Sequence, residues 1–433
     1  MARSKDRREF VQLSAATAVA TAAIISSPAV IRKAWAATPI RVGHLNTFSG
    51  AGASLGEQGG WGLKAAVDRI NKAGGINGRM IEVIQRDDTF KPATAVREAE
   101  KMILQDKIDV LTGVSSSGIC VQLAPLMERH QTLFVLGTGC ETTNLTGGKV
   151  EKCPKHVFRP YNSTKSQAIA MAPWAIANGI KSATALYLDF AWGQSVAFDF
   201  ADEFKRLGGK WIEPVAAPLS TTDYLPYVSR INQDADALLF GVFGGHAIKS
   251  LLAAHDAGVT KNMKFFGPAS VSDTNTVEQQ GKSAIGGFYL HRYPAVVELK
   301  GTPFDDAANH KFRAEVLAQS KGVLPSGFTQ AQFTGMNLIK QALTAVKFED
   351  KKADTPRMIE WLEGSGGTTE FGPGRMLKQG DDFPQGDVYL RSTDHQGFTN
   401  HYMATVDDNL GFRIVGDRVD MKTTLYPSKF DSC

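Results

Sequence analysis

Short apolar runs and amphipathic stretches alternate along the chain from Pro39 onwards. The runs IRVGHL, MIEVIQRDD and DVLTGV have the length and composition of strands, and the residues between them follow a helical period of apolar positions. After a polar interval that contains CPKHVFRP the alternation starts again, with strands such as SATALYLD and DALLFGVF. Strands that alternate with helices at this spacing predict parallel sheets with helices on both faces.

The repeated rhythm predicts an α/β fold of two doubly wound parallel-sheet lobes joined by a hinge. The predicted division gives residues 39–158 and 288–366 to lobe 1, and residues 159–287 and 367–433 to lobe 2. The β segments predicted beyond residue 385 are compatible with either lobe. Strands of two facing lobes end on either side of a cleft, which is where ligands bind in open α/β sheets.

The first 36 residues have a different composition. Basic residues come first, an Ala-rich and weakly apolar segment covers residues 11–30, and the AWA triplet at 34–36 fits a small-x-small cleavage site. The two arginines at positions 7 and 8 resemble the twin-arginine signal. We therefore predict an export signal over residues 1–36 and a mature protein that is soluble in the periplasm. Because no cysteine precedes Cys120, we predict no lipid anchor.

Charge and cysteines exclude several classes of site. The signal carries six of the 48 basic residues and two of the 44 acidic ones, so the mature chain has 42 of each. This balance predicts neither nucleic acid nor an anionic membrane as a partner. The four cysteines show no CxxC pair and no histidine at metal-ligand spacing, so we predict no metal site. Cys140 and Cys153 could form a disulfide in an oxidising compartment, with two buried free thiols as the alternative and Cys120 and Cys433 left open.

Three serines follow a predicted strand in the stretch DVLTGVSSSGIC, at positions 115 to 117. Gly113 and Gly118 bracket them at the wrong spacing for a nucleophile elbow, and the histidines are isolated in sequence, which disfavours an exported hydrolase. The glycines of GAGASLG suggest a dinucleotide turn, but Asp87 follows at about thirty residues rather than about twenty, so we predict no cofactor. Hydroxyls and N–H groups at the start of a helix suit a carboxylate, although one serine is also expected to cap that helix.

Further candidate residues follow other predicted strands. Thr138, Gly139 and Glu141 come after the next strand of lobe 1, and the ends of adjacent parallel strands lie together. From lobe 2, Trp192 and His246 follow strands in DFAWGQS and GVFGGHAIK, where we expect them to cover a ligand. Phe243 is either a core residue or part of that cover.

Four stretches resemble the periplasmic branched-chain amino acid binding proteins of ABC importers, which are type I periplasmic binding proteins. They are INKAGGINGRMIEVIQRDD, AEKMILQDKIDVLTGVSSS, TTDYLPYVSRINQDADALLF and AAHDAGV. The resemblance covers nearly the whole mature chain. It implies a non-enzymatic, monomeric protein whose two lobes close over a small solute and then dock on an inner-membrane ABC permease. A ligand-sensing subunit of a signalling receptor and an exported hydrolase are the alternatives.

The resemblance also assigns roles to residues by position. Ser115, with Ser116 beside it, matches the serine that holds the ligand carboxylate. The other matched contacts are Gly139 and Glu141 at the next strand end, Trp192 and His246 in the second lobe, and Leu55 and Phe328 in the first. Amino acid binders of the family place a glutamate against the ligand ammonium, where this chain has Ala269. The expected solute is therefore an amino acid, an aromatic or other organic acid, or an amide.

Overall fold

The computed structural model describes residues 38–140 and 152–433. The predicted export signal and Glu141 lie outside these residues. A five-stranded parallel sheet forms lobe 1, in the order β2-β1-β3-β4-β5. Its strands are β1 (Ile40–Asn46), β2 (Ile81–Asp87), β3 (Val110–Gly113), β4 (Leu133–Leu136) and β5 (Val157–Phe158).

Helices cover both faces of this sheet, because successive strand residues point to opposite sides. Val110 and Val135 pack with α1 (Ala53–Lys72), α10 (Ala307–Ser320), α11 (Gly327–Val346) and α12 (Lys351–Leu362). Leu111 and Phe134 pack on the other face with α2 (Pro92–Leu104) and α3 (Ser117–His130). Pro92 is at the start of α2 as predicted, and Ser326 caps α11 by accepting from the N–H of Phe328 at 3.1 Å.

Lobe 2 is built on an eight-stranded sheet in the order β17-β16-β11-β10-β9-β6-β7, with β8 also paired to β6. The strands are β6 (Ser182–Leu188), β7 (Lys210–Trp211), β8 (Val215–Ala217), β9 (Ala237–Gly241), β10 (Lys264–Pro268), β11 (Phe288–His291), β16 (Tyr402–Val406) and β17 (Phe412–Ile414). The helices are α4 (Thr164–Ala177), α5 (Ala191–Arg206), α6 (Leu225–Val228), α7 (Gly244–Asp256), α8 (Val259–Asn262) and α9 (Val277–Gln280). Strands β6 to β11 are parallel, and β16 and β17 add an antiparallel edge. The predicted α/β fold of two doubly wound lobes is confirmed.

The predicted lobe boundaries need two corrections. Strand β11 pairs in parallel with β10, so residues 288–291 belong to lobe 2 rather than lobe 1. A separate antiparallel sheet joins β12 (Thr368–Thr369), β13 (Gly372–Leu377), β14 (Val388–Arg391) and β15 (Gly397–Phe398). Leu377, Val388 and Leu390 of this sheet are buried in the core of lobe 1. It therefore extends lobe 1, because its apolar face packs there, and only β16 and β17 return to lobe 2.

Three described segments connect the lobes. The first follows β5, the second follows β11 and the third joins β15 to β16. The first and third run side by side, because Thr399 donates its N–H to the side-chain oxygen of Asn162 at 2.8 Å. These three segments form the hinge.

Helices α1 and α11 pack closely because α1 has a glycine at the contact. A Cβ at Gly62 would lie 2.0 Å from the carbonyl oxygen of Thr329 in α11. Gly60 in the same helix offers a contrast, because a Cβ there would have no neighbour nearer than 4.0 Å. The glycine at 62, and not the one at 60, allows the close approach.

We expect Gly62→Ala to lower the free energy of unfolding by about 1–3 kcal/mol, because backbone atoms cannot move aside cheaply. Gly60→Ala is the matched control and should raise it by up to ~1 kcal/mol, through helix propensity alone. Chemical denaturation of both variants checks this pair. Equal shifts of the same sign would contradict the packing argument.

The cysteine pairing differs from the prediction. The structure joins Cys120 to Cys140 and Cys153 to Cys433, so the predicted bridge between Cys140 and Cys153 is wrong. Cys120 lies on α3 and reaches Cys140 across the end of β4. Cys153 precedes β5 and pairs with a residue 280 positions later. Closeness in sequence was therefore a poor guide, because the fold brings both partners together from distant segments.

Peptide mapping of the unreduced protein, digested after blocking of free thiols, should recover one peptide pair with Cys120 and Cys140 and another with Cys153 and Cys433. In the chain-entropy model the longer loop contributes roughly 5 kcal/mol. Cys433→Ser should therefore be clearly less stable than the parent protein. A recovered Cys140–Cys153 peptide would contradict the pairing.

Candidate ligand site between the lobes

A pocket lies between the two lobes, at the edge where the parallel strands of both sheets end. Each of the three hinge segments contributes to its lining: Tyr161 and Asn162 from the first, Arg292 from the second and His401 from the third. Lobe 1 adds hydroxyl and backbone groups, and lobe 2 adds aromatic rings. These further lining residues include Leu55, Ser115, Ser117, Gly139, Phe328, Phe190, Trp192, Phe243, Ala269 and Ser270.

The turn from β3 into α3 places Ser115 at the pocket. Gly113 and Val114 both have positive φ, at 112° and 66°, and Val114 is fully buried. A β-branched residue in this region is strained by roughly 1–3 kcal/mol, so the surroundings must hold it there. The N–H of Val114 donates to the carbonyl of Leu45 at 2.7 Å, and its carbonyl accepts from Gly139 at 3.3 Å. These two hydrogen bonds hold the turn that places Ser115 at the cleft.

A buried polar network already uses the proton of Ser115. Its hydroxyl donates to the side-chain oxygen of Asn46, whose amide nitrogen donates to Thr138 Oγ1 at 2.7 Å. The hydroxyl of Thr138 donates in turn to Gln332 Oε1 at 3.3 Å. Ser115 therefore presents lone pairs to the pocket in this arrangement.

Aromatic rings form the wall on the side of lobe 2. Phe190 and Phe243 are the residues just before α5 and α7, directly after β6 and β9, and Trp192 lies in the first turn of α5. The centroids of the three rings are 5.9–6.0 Å apart, a normal spacing for packed aromatic side chains. Phe328 faces them from lobe 1. The body of a ligand would lie against rings on both sides.

Arg292 supplies the positive charge of the pocket. It follows β11 in the second hinge segment, where its Nε donates to the carbonyl of Gly327 at 2.8 Å and its Nη2 to that of Thr138 at 3.1 Å. The guanidinium also lies 4.8 Å from the ring centroid of Tyr161. Arg292 is partly buried and lines the pocket. Burial lowers the pKa of Arg292 to about 10, so it remains protonated at neutral pH.

The titratable groups beside Arg292 carry no negative charge that would balance its positive charge. His401 and His291 are almost fully buried, and burial followed by repulsion from Arg292 lowers the pKa of each to about 3. Both imidazoles are therefore neutral at pH 7. Among the described residues that line the pocket, none is Asp or Glu.

The structure places six of the ten predicted ligand contacts in the lining: Leu55, Ser115, Gly139, Trp192, Ala269 and Phe328. Their contact with a ligand stays a prediction. Ser116 is buried at the residue before α3, and its side chain makes no capping hydrogen bond. The side chain of Thr138 points into the polar network, although its carbonyl meets Arg292. His246 packs behind Phe243 and bonds to the hydroxyl of Tyr224 at 2.9 Å, so neither Thr138 nor His246 lines the pocket.

Sequence reasoning missed all the hinge residues. Tyr161, Asn162, Arg292 and His401 lie outside regular strands and helices, and no motif marks them. The one available signal is that Arg292 directly follows a strand in FYLHRYP, as Trp192 nearly does in LYLDFAW. The sequence left open whether Phe243 is a core residue or covers the ligand. It has both positions, because it is buried and also lines the pocket.

Contacts between the lobes show a closed arrangement. Leu55 and Phe328 of lobe 1 pack with the core of lobe 2, and Phe90 lies 5.5 Å from Phe243 between ring centroids. The amide of Gln58 in α1 donates to Asp273 of lobe 2 at 3.4 Å. Asp273 is 2% exposed, and this burial raises its pKa to about 6.

One group of side chains elsewhere has the donors of a metal site. Ligand atoms of Cys153, His395 and Cys433 lie within 4.8 Å of one another. The two sulfur atoms are bonded to each other, so neither is a thiolate that could hold a cation. None of the described helices has the length and apolarity needed to cross a membrane.

Comparisons with known proteins identify similar chains. A family model for periplasmic binding proteins matches residues 39–410. The Leu/Ile/Val-binding protein homolog 4 of Brucella abortus is 24% identical over 378 residues, covering 83% of this chain and 82% of that protein.

Solved structures share the fold. A solute binding protein of an ABC transporter from Rhodopseudomonas palustris, in complex with 3,4-dihydroxybenzoic acid, superposes with a TM-score of 0.74 at 23% identity, covering 88% of this chain and 98% of that one. The substrate binding protein LivJ of Streptococcus pneumoniae, in complex with isoleucine, has a TM-score of 0.72 at 18% identity and covers 88% and 99%.

The pKa of Asp273 predicts a dependence of stability on pH. Between about pH 4 and 6 the folded protein holds a proton at Asp273 that the unfolded chain releases, so its contribution to the free energy of unfolding falls as pH rises and levels off above about 6. Asp273→Asn removes this term, and the variant should gain up to ~3 kcal/mol relative to the parent across that range. Urea denaturation at several pH values measures the difference. The exposed Asp202→Asn is the control, and a pH-independent difference for Asp273→Asn would contradict the assignment.

Proposed function

Because the chain belongs to the periplasmic binding protein family, we propose that it is the solute-binding protein of an ABC importer, which captures a small organic solute by closure of its two lobes. The solute is an amino acid or a related carboxylate. The relatives support this reading, since the names of those compared include Leu/Ile/Val-binding and solute-binding proteins.

The pocket between the lobes is the observation that carries the proposal. Its lining comes from both lobes and from all three described hinge segments, so a solute there would contact every part that moves on closure. A ligand bound to one lobe alone would have no differential affinity for the closed state and would not favour it. Leu55 and Phe90 of lobe 1 contact lobe 2 directly, so part of the closed interface is formed by the protein without a solute.

Export and delivery complete the proposal. Residues 1–36 would direct the chain to the periplasm and be removed, and the closed monomer would dock on an inner-membrane permease. The hydrolase alternative gains no support, because the hydroxyl of Ser115 bonds to the amide of Asn46 and not to a general base.

Thermal-shift measurements on mature protein, unfolded and refolded to strip bound solute, test the proposal. The panel is leucine, phenylalanine, benzoate, 3,4-dihydroxybenzoate and benzamide. A solute at about one hundred times its dissociation constant should add ~2.7 kcal/mol to stability. If no member of the panel raises the melting temperature, the proposal fails for these classes.

Variants in α5 locate the binding site. Trp192→Ala removes a ring that lines the pocket and should weaken the bound solute by roughly tenfold to a hundredfold. Phe198→Ala is the matched control, because Phe198 lies on the same helix, is 45% exposed and does not line the pocket. Equal affinities for the two variants would place binding elsewhere.

A further inference from the structure

Arg292 is held in place before any solute arrives. Its side chain donates two hydrogen bonds to main-chain oxygens of lobe 1, and its guanidinium lies over the rings of Tyr161 and Phe328, whose centroids are 4.8 Å and 5.6 Å away. Nη1 makes no hydrogen bond to a described residue. A guanidinium fixed in this way loses little further entropy when it binds a planar anion.

No described acidic side chain balances this arginine. Among the described residues no Asp or Glu lies close enough to form a salt bridge with it, and the described lining of the pocket holds no carboxylate. The two histidines beside it are neutral for the reason given above. A buried charge without a partner is costly, and the cost is recovered when an opposite charge is bound there.

The serine turn and the guanidinium meet at the same edge of lobe 1. Thr138 offers its carbonyl to Arg292, while the N–H of the next residue, Gly139, donates to the carbonyl of Val114, which precedes Ser115. The hydroxyl of Ser115 is occupied by Asn46. The positive group for an anion is therefore Arg292, with the serine turn beside it as a neutral neighbour.

The described lining of the pocket offers no carboxylate to an ammonium group. Ala269 and Ser270 line the pocket after β10, and the walls are the rings of Trp192, Phe243 and Phe328. A zwitterion would bring a cation into a site whose described residues carry one positive charge and no negative charge. Repulsion between like charges at low dielectric would oppose its binding.

We propose that Arg292 is the specificity-determining residue of the pocket, and that the solute is a carboxylate with a flat or apolar body and no free ammonium group. The inference rests on the proposed function and narrows it to one class of solute. In the complex the carboxylate accepts hydrogen bonds from the guanidinium, and the body lies between Phe328 and the aromatic rings of lobe 2.

Calorimetric titration with matched solutes tests the inference. The probes are 4-methylpentanoate against leucine, 3-phenylpropanoate against phenylalanine, and benzoate against benzamide, so each pair differs at one functional group. In each pair for which binding is detected, we expect the probe that has a carboxylate and no ammonium group to bind at least tenfold more tightly than its partner. Binding of leucine or phenylalanine as tightly as the deaminated acid would overturn the inference while leaving the solute-binding function in place. Absence of binding by every probe would overturn the inference and, for these classes of solute, the proposed function.

Two variants separate charge recognition from structure. Arg292→Met should lose affinity for the preferred carboxylate by roughly a hundredfold and lose the preference for benzoate over benzamide. Arg292→Lys keeps the charge and should retain that preference with weaker binding. If Arg292→Met folds and still prefers benzoate over benzamide, the inference is wrong. If both variants fail to fold, the parent protein decides, and the absence of a preference for benzoate there would also make the inference wrong.

Glu141→Gln provides an independent test of whether an acidic group serves the pocket. Glu141 follows the lining residue Cys140 and lies outside the described residues. Unchanged selectivity in this variant is expected. If the parent binds leucine and Glu141→Gln abolishes that binding, an acidic group receives the ammonium and the inference is overturned.

Discussion

The geometry of the site depends on where parallel strands end. Both sheets direct the carboxyl ends of their parallel strands towards the same cleft, and the chain crosses between the lobes three times beside that cleft. The turns that follow β3, β6 and β9 therefore converge with the hinge segments. Residues of the hinge segments line the pocket, so a solute bound there would stabilise the closed state directly.

Charge distribution in the cleft is the second organising feature. Some buried charges in the described chain are paired with an opposite charge, as in the pair of Arg391 and Asp394, whose side chains are 10% and 1% exposed. Arg292 instead bonds only to backbone carbonyls and aromatic faces. Such a group destabilises the empty closed form, and this would help to couple closure to the arrival of an anion.

Local patterns predicted those features that local chemistry determines. The serine run at the end of β3 and the tryptophan after β6 were found because a strand end beside a helix start is visible in sequence. The sequence did not predict that His246 lies outside the pocket lining or that Arg292 lies within it. The first depends on the direction of a side chain, and the second depends on the path of the hinge. The sheet from β12 to β15 shows the same limit: only its strand β14 was expected, and its packing on lobe 1 is a long-range contact that no periodicity encodes. Cysteine pairing likewise required the fold.

A crystal structure of the protein with its preferred solute from the panel would show which residue holds the carboxylate. We predict a carboxylate within hydrogen-bonding distance of the guanidinium of Arg292, with the body of the solute between Phe328 and Trp192. A solute whose carboxylate lies on the serine turn, with Arg292 still bonded only to the carbonyls of Gly327 and Thr138, would contradict it.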